Sequence, residues 1–175
     1  NWAETTDLNT SRAYLTGSGS QSAAMAAGGQ RPASSPSNQA VAELWTGAGV
    51  PIGAWATSTS INTGRDQLSG AGTYTSSLIF SGDVGGSYKN ETESWNGSSW
   101  TEVNNLTTAR SQGAGFGTDN TAALFTGGST PSVSALTESW NGTNWTEVND
   151  LNSARRYLGG AGTVSNGVAF GGYIT

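Results

Sequence analysis

The sequence predicts an all-β protein assembled from four copies of one short-stranded unit, and three observations carry that reading. Residues 92–106 read TESWNGSSWTEVNNL and residues 137–151 read TESWNGTNWTEVNDL, identical at twelve of fifteen positions. Trp2, Trp55, Trp100 and Trp145 each stand ten residues before an arginine (Arg12, Arg65, Arg110, Arg155) and six before Leu8, Ile61, Leu106 and Leu151. Within each copy the apolar residues alternate in short runs, and no segment of useful length has a helical period. The copies are spaced 53, 45 and 45 residues apart, so the repeat has to be read before anything else.

Each copy resolves into four strands. A Gly-rich strand comes first, YLGGAGT in the last copy, with glycines fifteen and seventeen residues after each Trp (Gly17 and Gly19, Gly70 and Gly72, Gly115 and Gly117, Gly160 and Gly162). An apolar strand follows, GVAFGG or its equivalent, and ends in glycine. The third strand, ALTESW, ends on Trp140 and the fourth, NWTEV, opens on Trp145. Asn96-Gly97 and Asn141-Gly142 between these last two read as hairpin turns, because both residue types tolerate positive φ. The G-x-G pairs are read as close backbone approach between neighbouring first strands. A phosphate loop would need a helix N-terminus after the glycines, and none follows.

Four antiparallel strands repeated about every 45 residues are the arithmetic of a β-propeller blade. ALFTGG followed by TESWNGTNWTEVNDLNSAR resembles the kelch repeat. Gly127 and Gly128 match its diglycine, Trp140 stands where the family usually has Tyr, Trp145 is the second aromatic and Arg155 the arginine. The gap between the two aromatics is one residue shorter than usual, Ala26 replaces the Phe of the other copies, and copy two reads Ser81-Gly82-Asp83 at the diglycine. The wording is also similar to Trp-rich kelch-like repeats of marine phage and bacterial proteins. The resemblance spans residues 1–175 and implies a kelch-like β-propeller segment, three whole blades plus a split or incomplete fourth. On that reading Trp95, Trp100, Trp140 and Trp145 pack blade against blade, with Trp2 and Trp55 at equivalent positions. The four arginines bond to carbonyls or to a nearby Glu, at the modest energies of exposed pairs.

Only 11% of residues are charged, where roughly 25% is typical. Apolar residues make up 34%, with 26 glycines besides, so the seven tryptophans must supply much of the core. Each buries roughly 150–250 Å², about 4–6 kcal/mol before entropy is subtracted. The net charge of −5 and scattered basic residues argue against nucleic acid or an anionic membrane surface as partner. No apolar run has the length of a membrane span. Six Asn-x-Ser/Thr triplets start at Asn9, Asn90, Asn96, Asn105, Asn141 and Asn144, and read as by-products of repeated polar turns.

With no His and no Cys, Ser-His-Asp and Cys-His nucleophiles and His-based metal cages are not available. The same lack removes the copper site of the galactose-oxidase-like enzymes that the kelch resemblance brings to mind. Glu43, Glu93 and Glu138 recur two residues before a Trp, and Glu4, Glu102 and Glu147 two after one, which marks them as repeat positions and not a set-apart catalytic pair. No cofactor and no metal are expected. The expected function is non-enzymatic: a structural or interaction component of a virion (phage tail or adsorption) or cell surface, whose partners are other protein chains of an assembly. A carbohydrate-binding module that stacks exposed Tyr or Trp on a surface glycan is the alternative, and an enzyme scaffold the weakest. The first blade has longer loops, GGQRPASSPSNQAVAE and TGAGVPIGA. Arg31 and Ser34 in the first of them, together with Tyr88 and Lys89, are the candidate partner contacts.

At its ends the sequence aligns NWAETT with a fourth strand and VAFGGYIT with a second strand and the loop after it. A ring closed on these would lack one third strand. Further repeats or a neighbouring chain are expected to provide it, because two rows of unpaired backbone groups are otherwise left open.

Overall fold

A computed structural model describes residues 7–31, 38–47 and 54–174. Every element among them is a β-strand. Sheet 1 is β1 (Thr16–Gly19), β2 (Ala23–Ala27), β3 (Ala42–Thr46) and β4 (Ala54–Ser58), an antiparallel meander in that spatial order. Sheet 2 repeats the meander with β5 (Ser69–Thr73) and β6 (Ser76–Phe80). The small hairpin β7 (Asp83–Val84) and β8 (Ser87–Tyr88) follows, then β9 (Thr92–Trp95) and β10 (Trp100–Val103) complete the sheet. Sheet 3 does the same with β11 (Ala114–Asp119) and β12 (Ala122–Thr126), the hairpin β13 (Ser129–Thr130) and β14 (Ser132–Val133), then β15 (Thr137–Trp140) and β16 (Trp145–Val148). The two-stranded hairpin β17 (Arg156–Gly162) and β18 (Gly167–Tyr173) begins a fourth unit.

The first strands of successive sheets lie against one another, and glycine allows it. A Cβ built on Gly115 would lie 3.0 Å from the Gly70 carbonyl oxygen and 2.7 Å from Cζ of Phe80. The second glycine of each pair answers to its own hairpin instead: a Cβ on Gly72 would lie 2.3 Å from Ser76 O and one on Gly117 2.2 Å from Ala122 O.

Sheet 2 is covered on both faces, and its residues sort by the two-residue period of a strand. Ile79, Trp95 and Trp100 face sheet 1 and pack with Met25, Ala27 and Ala42. Leu78 and Phe80 face sheet 3 and pack with Phe125, Trp140 and Trp145. The core is thus two slabs between sheets, each closed by a Trp pair from the later sheet.

Four expectations need correction. The Asn-Gly turns do not use both residues at positive φ: β9 and β10 pair Trp95 with Trp100 across the expected four-residue loop, and only Gly97 takes positive φ (95°). Asn96 acts through its side chain, whose Oδ1 accepts from the N–H groups of Ser98 and Ser99, and Asn141 does the same for Thr143 and Asn144. The phenylalanines are not one position. Opposite the repeated Glu stand Ala26, Ile79 and Phe125, so Ala26 replaces Phe125 alone, and Phe80 sits one place further on, level with Ala27 and Thr126. Sheets 2 and 3 also carry the extra hairpins β7–β8 and β13–β14, the first turning on Gly85-Gly86 at φ of 60° and 90°. The fourth correction, the burial of the Arg–Glu pairs, belongs with the site itself.

Candidate functional site

The repeated polar residues form two constellations. The first is a clasp between consecutive sheets. Arg65, in the linker between sheets 1 and 2, donates to Glu93 of β9 at 2.8 Å. The same linker gives the Asn62 N–H to the other carboxylate oxygen at 2.7 Å. Arg110 and the Thr107 N–H repeat this on Glu138, at 2.5 and 2.7 Å. Arg12 and the Asn9 N–H repeat it on Glu43, at 3.1 and 2.7 Å.

These pairs are buried, not exposed: the Glu side chains are at most 2% accessible and those of the three arginines 0%. A neighbouring sheet covers Arg65–Glu93 and Arg110–Glu138, whereas Arg12–Glu43 is enclosed by its own linker and sheet, where Arg12 also donates to Gly28 O at 3.2 Å. Burial lowers the pKa of Arg12 and Arg110 against the pull of Glu43 and Glu138. Losing either partner would strand a buried charge, at a cost of about 3–5 kcal/mol. Arg110 also lies over the Phe125 ring at 4.4 Å. Arg155 is partly buried and bonds to the carbonyls of Ser153 and Gly171. Glu102 and Glu147 are exposed.

The tryptophans belong to the same joints. Trp95, Trp100, Trp140 and Trp145 are 1%, 7%, 2% and 5% accessible. Trp145 of sheet 3 packs edge-on against Phe80 of sheet 2 at 4.8 Å and donates its indole N–H to Thr92 Oγ1 at 3.0 Å. Trp100 packs in the cluster that includes Ala42, the counterpart of Thr92 in sheet 1, and its buried Nε1 has no partner. Trp55 is partly buried and packs against Trp45, the ring centres 5.7 Å apart and the planes tilted by 51°; Trp2 lies outside the described residues.

The second constellation was not singled out from the sequence. Two residues after each arginine come Tyr14, Gln67, Gln112 and Tyr157, all with left-handed φ (56°, 52°, 63° and 55°). Such φ costs an L-residue with a side chain about 1–2 kcal/mol. Here it turns each linker into a first strand, so that the next residue, Leu68 or Leu158, reaches the glycine of the preceding sheet. It also builds a ladder: the N–H of Gln67 donates to Tyr14 O, that of Gln112 to Gln67 O and that of Tyr157 to Gln112 O, at 3.0, 3.1 and 2.7 Å. The Gln112 amide donates to the Gln67 amide, and Arg156 reaches Gln112 Oε1 at 3.4 Å. Tyr14 and Tyr157 are 59% and 57% exposed at the two ends of this row. The signal was present at the fixed offset from Arg, but two Tyr and two Gln do not look like one position.

Three of the four expected partner contacts are among the described residues. Arg31 is exposed, Tyr88 Oη lies 3.4 Å from Ser129 Oγ, and Lys89 makes a long 3.8 Å pair with Glu91. Ser34 lies outside the described residues. A groove of about 420 Å³ on the outer face of sheet 1 is lined by Leu8, Leu15, Ala26 and Trp55 among others, none of them titratable. Among the described residues no three His, Cys, Asp or Glu side chains gather as a metal site. Compared with known proteins, the chain matches no protein-family model and no curated sequence.

Proposed function

We propose that these sheets are blades of a kelch-like β-propeller and that the chain is a non-enzymatic structural or interaction component of a virion or cell surface. One observation carries the reading: Trp95, Trp100, Trp140 and Trp145 and the pairs Arg65–Glu93 and Arg110–Glu138 are used up in joints between sheets. Trp145 lies against Phe80 and Thr92, and Arg110 against Glu138, so the residues richest in binding chemistry are turned inward. The side-by-side first strands and four-strand meanders suit the propeller, and a sparsely charged Ser/Thr/Asn-rich exterior suits an assembly outside the cell. Its partners are other chains of that assembly.

A second reading, a carbohydrate-binding module, is favoured by the polar row. Exposed Tyr14 and Tyr157 flank two carboxamides and Arg156, groups able to stack on and hydrogen-bond a neutral sugar. A glycan array separates the two. The scaffold reading expects no saturable binding. Binding that is lost in Tyr14→Ala or Tyr157→Ala would overturn it in favour of the lectin.

A further inference from the structure

We propose that the free edge of β18 is a strand-addition site for an extended segment carrying Glu-x-Trp, whose carboxylate closes on Arg155. The proposal rests on the repeated sheet geometry and not on the biological role. In all three complete sheets the second strand pairs with a third strand in one register. Ala26, Ile79 and Phe125 oppose Glu43, Glu93 and Glu138, while Ala24, Ser77 and Ala123 oppose Trp45, Trp95 and Trp140. Laid on β18 through its glycines Gly171 and Gly172 (φ 69° and 91°, against 68° and 105° for Gly127 and Gly128), that register puts a Glu opposite Ala169 and a Trp opposite Gly167.

The receptor half of the clasp stands ready. Arg155 Nη1 donates to Gly171 O at 3.1 Å, the bond that Arg12 makes to Gly28 O at 3.2 Å, so the two guanidiniums sit alike. Arg12, Arg65 and Arg110 each meet a carboxylate; among the described residues Arg155 meets none. Asn152 holds the place of Asn9, Asn62 and Thr107, whose N–H groups bind the second carboxylate oxygen. In sheet 3 the Gly127 N–H donates to Leu136 O of the incoming chain, and Gly171 is its counterpart. Among the described strands β18 pairs with β17 alone, and Val168, Phe170 and Tyr173 are 54%, 55% and 53% exposed. An unpaired edge beside an unneutralised Arg selects a strand by backbone pairing and by charge. The occupant committed to is a strand of the Thr-Glu-Ser-Trp kind.

The test adds a second copy of residues 132–151 directly after Thr175, which restores the spacing of sheet 3 and gives the strand a high effective concentration. The expected result is that exchange of the Gly171 amide slows about ten-fold or more. Most of that protection should disappear when the added Glu is changed to Gln or when Arg155→Gln is introduced; Arg155 is partly exposed, so this variant should fold. Unchanged exchange in the extended chain would overturn the proposal, as would protection that survives both changes. Protection of Gly171 in the unextended protein, rising with protein concentration, would overturn it in favour of a second copy pairing edge to edge.

Discussion

At the scale of single residues, Asp66 shows how a polar group is strained by its place. Its backbone exchanges hydrogen bonds with Asp83, at 3.1 and 2.8 Å, which draws two carboxyl groups together at a buried corner. Burial first, and then the Asp83 charge, raise its pKa above the usual 3.8. A carboxyl whose folded pKa is raised binds its proton more tightly when folded, so its contribution to stability falls as pH climbs from 3.8 through the raised value. Asp66→Asn should therefore unfold at higher urea than the parent at pH 7, with the gap closing as the pH is lowered below about 4. A variant less stable than the parent at pH 7 would show that the charge is held favourably.

Among elements, the turn after each second strand was the hardest to read. Three copies use Gly-Gly, with φ near 70° and then 90–105°, and copy two places Ser81 in the same left-handed conformation at φ 64°. Ser81 is wholly buried and its hydroxyl has no partner. Ser81→Gly should raise stability by about 1 kcal/mol, since it removes the left-handed cost and the orphaned hydroxyl and loses some to unfolded-chain entropy. Equal or lower urea midpoints would mean that the hydroxyl is satisfied. The four-strand unit was legible because strand period and Trp spacing are local properties. The Asn side-chain caps, the Phe125 offset and the hairpin β7–β8 were not, because register and side-chain direction are set by the neighbouring strand. The clasp was half legible: recurrence pointed to an Arg–Glu partnership, while its burial is set by packing between residues distant in sequence, the paired Arg and Glu standing 28 or 31 apart.

For the molecule as a whole, few charges and many glycines make a thin core, and the tryptophans at the sheet joints bear most of it. Each joint is built from one repeated phrase, which is why four of the seven tryptophans occur in two near-identical stretches. The polar Tyr–Gln row escaped the sequence because its positions share a backbone conformation and not a side chain. The claim that the phrase is packing, and not a binding site used twice, is tested most directly by urea unfolding of Trp145→Ala. The ring sits against Phe80 and its N–H on Thr92, so the account predicts a loss of about 3–5 kcal/mol. Stability within about 0.5 kcal/mol of the parent, the ordinary range for a surface change, would contradict it.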